Sequence, residues 1–299
     1  MISTNVLSKC FSDMSDLFAD PVNGEELNFQ GSKFVGIQGN SYNVEDNIAD
    51  FYVTDGVYGE QVSDSSASPA QISTLSNYAS ISSRSQFREE MSKDIFFNFL
   101  DSQLPRGVAV LDAGCGSGQL SNYLAMSPWR RVIGADLELD SLIEAENFRC
   151  RFEINNSAFL RMNVFNMPFK PASFDVVIAS AFLHKTGNAK LAFDKLIEKL
   201  KVGGLIIVGL YSRYAKLSSL MHTNNSTFTQ DEVLTWFDSE GIEFLTGSPS
   251  LDGSVFDSQC DLSQVHSRAN SFRRALSQLT MLIEHPSNGL FFMVGRKTH

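Results

Sequence analysis

The sequence has no apolar run of about 18 or more residues, the length that a membrane-spanning helix needs. Its first residues lack the basic and apolar regions of a secretory signal, so the cytoplasm is the expected location. None of the four cysteines belongs to a C-x-x-C pair, which argues against a zinc site and against a disulfide framework. These absences predict a globular protein with reduced thiols and no bound metal.

Basic residues are also few: the 24 Lys and Arg residues are outnumbered by 34 Asp and Glu residues, so the net charge is −10. A protein with this negative net charge repels polyanions, so a nucleic-acid substrate is disfavoured. The 299 residues are 43% hydrophobic and 19% charged, which is typical of a soluble globular protein with one large or two modest domains.

Amino-acid composition and hydrophobic pattern divide the chain into three regions. Residues 1–60 contain short β-type runs separated by Gly and Asn turns, which predict a small β-hairpin module. Residues 61–85 are rich in serine, which predicts a linker or a lid. Residues 86–299 begin with a helical pattern at 87–100 and then alternate between strand and helix patterns, so we assign them to one domain.

Within this domain, near-continuous apolar runs alternate with amphipathic segments. Strands are predicted at 108–111, 131–135, 159–164, 174–179, 205–208, 242–245 and 290–294. Helices are predicted at 118–127, 139–151, 188–201, 230–240 (after a capping box at Thr229 and Glu232) and 268–284. This alternation predicts an α/β fold in which helices cover both faces of a mostly parallel sheet.

The most informative segment follows the strand at 108–111. Gly114, Gly116 and Gly118 form a G-x-G-x-G turn, whose lack of side chains lets a ligand approach the backbone and the N-terminus of the next helix. A tight turn without a ligand is the alternative. Asp136 follows the next strand, where a carboxylate can accept hydrogen bonds from both hydroxyls of a ribose.

The identity of the nucleotide-like ligand depends on spacing and charge. Dinucleotide sites prefer G-x-G-x-x-G, which this loop lacks. Asp112 lies two positions before the first glycine, where it would oppose a pyrophosphate but can organise an ammonium group. S-adenosylmethionine carries an amino group and a sulfonium and has no phosphate, so the pattern favours it.

With these motifs, residues 108–210 resemble the Rossmann-like, class I S-adenosylmethionine-dependent methyltransferases. The segments that carry the resemblance are 111–118, 132–136, 163–169, 173–184 and 200–204. It implies a seven-stranded sheet whose last strand, 290–294, is antiparallel at the end of the sheet. It also implies cofactor contacts from Asp112, Gly114, Cys115, Gly116, Gly118, Gln119, Asp136, Leu137, Asn163, Val164, Phe165 and Ser180.

One position departs from the family pattern. Asn163 stands where many relatives have an Asp that binds the adenine amino group, and its amide oxygen can still accept that bond. Phe165 and Met167 are candidates to pack against the adenine, with ordinary core packing as the alternative.

Residues 20–51 are similar to the small zinc-ribbon-like domain that is fused to some bacterial methyltransferases and occurs in a tRNA-methyltransferase activator. The metal-binding cysteines of that domain are absent here. The resemblance therefore implies a metal-free module used for packing or for contact with a partner.

Candidate acceptor residues follow the fourth and fifth strands of the domain. His184 is a candidate general base, because an unperturbed histidine pKa near 6.5 suits proton transfer at neutral pH; packing in a loop is the alternative. Tyr211, Arg213 and Tyr214 are candidates to bind a carboxylate or phosphate of the acceptor, or they form a surface turn.

The absence of several motifs disfavours particular classes of methyl acceptor. The sequence lacks the Asn-Pro-Pro-Tyr and Pro-Cys strings of enzymes that methylate amides and nucleic-acid bases, and the acidic cluster that binds magnesium in catechol-type enzymes. We therefore expect methyl transfer to O, N or C of a small-molecule or carrier-bound acceptor. A protein with this fold that does not methylate, or that is not catalytic, is the first alternative, and a nicotinamide oxidoreductase is the second.

Overall fold

The computed structural model describes residues 10–53, 81–213, 227–247 and 290–299. The strands are β1 (Leu27–Phe29), β2 (Lys33–Gly36), β3 (Ser41–Glu45), β4 (Ile48–Asp50), β5 (Ala109–Ala113), β6 (Arg131–Asp136), β7 (Ser157–Arg161), β8 (Phe174–Ser180), β9 (Leu200–Tyr211), β10 (Ile242–Gly247) and β11 (Leu290–Lys297). The helices are α1 (Arg84–Ser92), α2 (Ile95–Gln103), α3 (Gln119–Ala125), α4 (Leu139–Arg151), α5 (Ala189–Lys199) and α6 (Gln230–Ser239). Within these ranges, no helix has both the length and the apolar character to cross a membrane.

The described strands form one sheet in the order β1-β2-β3-β4-β7-β6-β5-β8-β9-β11-β10. At its centre, β7, β6, β5, β8 and β9 pair in parallel. Every residue of β5 is buried, as the continuous apolar pattern predicted. The α/β architecture is therefore confirmed, and the carboxyl ends of the parallel strands meet at one edge, where ligand-binding loops gather in such folds.

The final strand differs from its predicted place. β11 is antiparallel to its neighbours as expected, but it pairs with both β9 and β10. The prediction that it lies at the end of the sheet is therefore wrong, and β10 is the edge strand. The burial of this strand is consistent with that position. Met293 of β11 is fully buried, and Phe292 stacks on Phe96 of α2 with ring centroids 4.0 Å apart. The strand is therefore packed on both faces, as is typical of a strand inside a sheet rather than at its edge.

The N-terminal module continues the same sheet. β1, β2, β3 and β4 pair in antiparallel fashion, which confirms the predicted hairpins. β4 then pairs in parallel with β7, with Ile48 opposite Phe159. The ring of Phe18 lies between the module and the rest of the chain, because its centroid is 4.6 Å from that of Phe34 and 5.6 Å from that of Phe169.

Several predicted elements have different limits, and the strand predicted at 205–208 begins at Leu200 because the helix before it ends at Lys199. The single helix predicted at 87–100 is two helices, because Asp94 adopts an extended conformation and accepts a hydrogen bond from the Phe97 backbone N–H at 3.0 Å, which begins α2. The strand predicted at 159–164 is Ser157–Arg161, because Asn163 begins a short 3₁₀ turn. The predicted helix at 268–284 and residues 61–80 of the serine-rich segment lie outside the described residues.

Candidate cofactor and acceptor site

The glycine loop connects β5 to α3 at the carboxyl edge of the sheet. Gly114, Gly116 and Gly118 have φ angles of +73°, +52° and +68°, a region that favours glycine. A Cβ atom on Gly114 would collide with Phe182, and one on Gly118 would lie 2.5 Å from Cβ of Ala145. A Cβ atom on Gly116, in contrast, would have no neighbour within 4 Å. Two of the glycines therefore permit close protein packing, whereas Gly116 borders open space that a ligand can enter.

Asp136, at the end of β6, holds this loop in place. One of its carboxylate oxygens accepts a hydrogen bond from the Gly116 N–H at 2.8 Å. The other accepts from the N–H groups of Leu137 and Glu138 at 2.7 and 3.0 Å. Because a carboxylate has about four acceptor positions, these three bonds leave room for a further hydroxyl donor. Asp136 can therefore fix the loop and bind a ribose at the same time.

Asp112 has a different environment, since it is buried in β5 and 3% exposed. The Ser121 hydroxyl of α3 donates a hydrogen bond of 2.6 Å to it. Burial, reinforced by the nearby Asp136 charge, raises the pKa of Asp112 to about 6 despite this hydrogen bond. Sequence reasoning missed Ser121, although a serine in the first turn of α3 is a suitable partner for this carboxylate. A contact between Asp112 and a cofactor amino group stays a prediction.

Three further predicted contact residues border the loop in the chain. Cys115 lies within it, Gln119 begins α3 and Leu137 follows β6, and all three are half-buried. Burial raises the pKa of the Cys115 thiol well above its ordinary value, so this thiol is protonated at neutral pH. The structure places these residues where a cofactor in the loop could reach them, and their contacts stay predictions.

The predicted adenine segment follows β7. The Asn163 side-chain oxygen accepts a hydrogen bond from the Phe165 N–H at 3.0 Å and so caps the turn Val164–Asn166. Val164, Phe165 and Met167 are 4%, 7% and 6% exposed within the main hydrophobic core. Core packing therefore accounts for most of the surface of Phe165 and Met167, and contact with an adenine would use what remains exposed.

The turn after β8 contains two residues that sequence reasoning missed. Ser180, a predicted contact, ends the strand, and Ala181 then adopts φ +55° while its N–H donates to the Gly209 carbonyl at 2.9 Å. This left-handed conformation costs a non-glycine residue on the order of 1 kcal/mol. It precedes Phe182, whose side chain packs against Gly114. No sequence signal marks Ala181, because alanine does not favour this region.

His184 lies in the next turn of the chain, Leu183–Lys185, and is 2% exposed. Its ring meets that of Tyr211, at the end of β9, edge-on with centroids 4.6 Å apart. Among the described residues, neither ring nitrogen has a hydrogen-bond partner, and a buried unpaired polar group costs about 1–3 kcal/mol. The structure thus brings two of the predicted acceptor residues together.

The protonation of His184 differs from expectation. Burial, with a contribution from the Lys185 charge, lowers the pKa of His184 to about 4. The expected pKa near 6.5 is therefore wrong, and the ring is neutral at pH 7 with one donor and one acceptor nitrogen. Because an efficient general base has a pKa near the working pH, this ring is better suited to hydrogen bonding than to holding a proton. Burial also raises the pKa of Tyr211.

Arg213 is separated from this pair by its own partners. Its guanidinium forms an ion pair of 2.8 Å with Glu232 and donates to the Thr227 carbonyl at 3.0 Å. Its charge is therefore compensated, and binding of an acceptor anion by Arg213 stays a prediction. Tyr214 lies outside the described residues.

Together, these features fit a nucleoside site on an open, Rossmann-like α/β sheet. The exposed backbone at Gly116 and the acceptor capacity of Asp136 and Asn163 fit S-adenosylmethionine, whose polar groups include ribose hydroxyls and amines. A dinucleotide pyrophosphate would bring negative charge next to Asp112 and Asp136, which is unfavourable.

Comparison with known proteins identifies the family of this region. Residues 104–241 match the methyltransferase domain family, and the match includes the glycine loop, Asp136 and His184. This region is therefore a class I methyltransferase domain, and S-adenosylmethionine is its cofactor.

Individual relatives match only parts of the chain. A tRNA (carboxymethyluridine(34)-5-O)-methyltransferase of Arabidopsis thaliana is 31% identical over 126 residues, which cover 41% of this chain and 28% of that protein. The demethylmenaquinone methyltransferase of Lactococcus lactis is 31% identical over 104 residues, which cover 34% of this chain and 41% of that protein. The chain thus matches less than half the length of each of these two relatives.

The fold is also similar to that of a solved structure. A chain from the complex between the Haloferax volcanii Trm112 methyltransferase activator and a methyltransferase superposes with a TM-score of 0.51 at 18% identity. The superposition covers 71% of this chain and 94% of that one. At this level of identity, the similarity concerns the fold alone.

Proposed function

We propose that the protein is an S-adenosylmethionine-dependent methyltransferase that transfers a methyl group to O, N or C of a small-molecule or carrier-bound acceptor. The open approach to the Gly116 backbone, beside the Asp136 carboxylate, carries this proposal. The residues assigned to the cofactor are Asp112, Gly114, Cys115, Gly116, Gly118, Gln119, Asp136, Leu137, Asn163, Val164, Phe165 and Ser180.

The chemistry asks little of the protein beyond binding and alignment. When bound, the cofactor supplies a methyl group on a sulfonium, which is activated for in-line displacement. The residues of the chain then have to orient the acceptor and exclude water. His184 and Tyr211 support this role, because they lie at the carboxyl ends of β8 and β9 next to the turn that packs on the glycine loop.

The finer parts of the proposal concern partners, domains and location. The net charge of −10 supports an acceptor other than a nucleic acid, although one relative is a tRNA methyltransferase by name. Residues 1–60 are proposed as a module for packing or partner contact, 61–85 as a linker or lid, and 86–299 as the methyltransferase domain. The cytoplasmic location stays a proposal, to be tested by fractionation of cells that express the tagged chain.

Calorimetry on the full chain tests the proposal. We expect S-adenosylhomocysteine to bind and NADH not to bind, because the Asp112 and Asp136 carboxylates would repel a pyrophosphate. The opposite result would favour the nicotinamide oxidoreductase. Binding of S-adenosylhomocysteine without methyl transfer to any member of a broad acceptor panel would favour a protein with this fold that does not methylate.

A further inference from the structure

The acceptor side of the site contains a pair of rings that cofactor binding does not use. His184 and Tyr211 contact each other edge-on at an interplanar angle of 78°. His184 is 2% exposed, and across the described ranges both of its ring nitrogens lack a hydrogen-bond partner. A neutral imidazole has one hydrogen-bond donor and one acceptor, and because both nitrogens are buried here, a ligand reaches them only when neighbouring side chains move.

The charges around this pair do not favour an anion. His184 itself is neutral at pH 7, because burial lowers its pKa to about 4. Arg213, on the segment after Tyr211, is paired with Glu232 at 2.8 Å. Lys185 is exposed, so its ammonium group keeps its hydration in solvent. Among the described residues, the buried part of the site therefore provides hydrogen-bonding groups and no positive charge.

The two residues before His184 in the chain are apolar. Leu183 is fully buried next to His184 in the chain, and Phe182 is half-buried against the glycine loop. Tyr211 adds an aromatic ring, which is itself half-buried. A ligand in contact with Phe182 and Tyr211 gains most from an apolar body.

We propose, on the basis of the methyltransferase function above, that the acceptor presents an uncharged hydroxyl group on an apolar body and that this hydroxyl binds to His184 beside Tyr211. A hydroxyl both donates and accepts a hydrogen bond, so it matches the neutral imidazole. A carboxylate or phosphate would add a buried negative charge that no described residue next to His184 compensates, and an ether cannot donate a hydrogen bond. His184 is thus a specificity-determining residue for O-methylation.

The proton and electron balance of this reaction is complete with the cofactor as methyl donor. The acceptor oxygen forms a bond to the methyl carbon, and the electron pair of the broken carbon–sulfur bond stays on sulfur. The methylated oxygen loses its proton to solvent, and His184 orients the hydroxyl by hydrogen bonding rather than by taking the proton.

Nuclear magnetic resonance on the full chain tests this inference with three probes that share a benzene ring: phenol, anisole and benzoate. Each is titrated into protein saturated with S-adenosylhomocysteine, and the ring nitrogens of His184 are assigned with the variant His184→Ala. We expect phenol to shift these resonances and to bind about tenfold more tightly than anisole or benzoate. Phenol should lose this advantage in His184→Ala.

The variants separate the alternatives. Lys185→Gln should leave phenol affinity unchanged, whereas an anionic acceptor held by Lys185 would make benzoate the tightest probe and this variant the weakest binder. Benzoate binding as tight as phenol, or unchanged His184 resonances at saturating phenol, would overturn the inference. If His184→Ala does not fold, the comparison of probes on the unmodified protein decides the question. Failure of S-adenosylhomocysteine to bind would instead remove the proposed function, and it is measured separately by calorimetry.

Discussion

The two sides of the site differ in how completely their polar groups are satisfied. On the cofactor side, Asp136 accepts three backbone hydrogen bonds and Asp112 accepts one from Ser121. On the acceptor side, no described residue pairs with either ring nitrogen of His184. The cofactor side is therefore organised before a ligand arrives, whereas the acceptor side has unused hydrogen-bonding capacity.

Gly116→Val should cause the largest loss of cofactor affinity. The side chain would fill the open space next to the loop, so we expect affinity for S-adenosylhomocysteine to fall more than about 100-fold, or roughly 3 kcal/mol, by calorimetry. Gly203→Val is the matched control, because Gly203 also has positive φ and open surroundings but lies near the start of β9, away from the carboxyl edge. Equal losses in both variants would mean that backbone strain, rather than blocked access, causes the effect.

Asp136→Ala should have the next largest effect. It removes an acceptor for the ribose together with the bonds that hold Gly116, so we expect a loss of about 1.5–3 kcal/mol in the free energy of S-adenosylhomocysteine binding. Asp136→Asn should lose less, because one acceptor oxygen remains. Asp140→Ala, at an exposed position in the first turn of α4, should bind normally. Unchanged affinity in Asp136→Ala would contradict the ribose assignment.

The cofactor side and the acceptor side also differ in how they change stability with pH. Asp112 has a pKa of about 6 in the folded protein, above its ordinary value, so the unfolded chain releases this proton first and the free energy of unfolding falls as pH rises from about 4 to 6. His184 acts in the opposite direction. Its folded pKa is about 4, below its ordinary value, so its contribution to stability is present above about pH 6.5 and is lost as the pH falls towards 4.

Asp112→Asn separates these two effects. The amide keeps an acceptor for Ser121 and has no charge to bury, so we expect the free energy of unfolding at pH 7.5 to rise by on the order of 2 kcal/mol. Between about pH 4 and 6, the variant should then gain stability with rising pH more steeply than the unmodified protein, as measured by urea unfolding. A variant that is less stable at pH 7.5 would show that the Asp112 carboxylate has a favourable partner beyond Ser121.

Phe182→Ala should give the smallest effect and should link the two sides. Phe182 packs on Gly114, so its truncation should loosen the loop and lower S-adenosylhomocysteine affinity about three- to tenfold. In the unmodified protein, we expect cofactor binding to shift the His184 resonances through this turn. The shift should decrease in Phe182→Ala and largely return in Phe182→Leu. An identical shift in all three proteins would show that the two sides are independent.

Much of the fold was predictable from the sequence, because apolar runs and helical periodicity depend on local composition. The position of β11 between β9 and β10 was not, since a strand pattern carries no information about which strands will pair along its two edges. The break at Asp94 was missed for a related reason: the apolar spacing of residues 87–100 is the same whether Asp94 lies within a helix or caps one.

The candidate site was also predictable only in part. The glycine loop and Asp136 could be proposed from spacing, because a turn of this kind requires residues without a Cβ atom. The lowered pKa of His184 and the packing of Phe182 on Gly114 follow from burial by segments distant in sequence, which no local pattern encodes. Whether each proposed residue touches a ligand stays a prediction.

The parallel pairing of β4 with β7 has a consequence for any shortened form of this protein. Without residues 1–53, the backbone donors and acceptors of β7 that face β4 would become a bare strand edge, and Phe169 would lose its contact with Phe18. Bare edges of this kind recruit strands from other molecules. We therefore expect a form without residues 1–53 to self-associate or precipitate, because β4 covers the edge of β7 in the full chain.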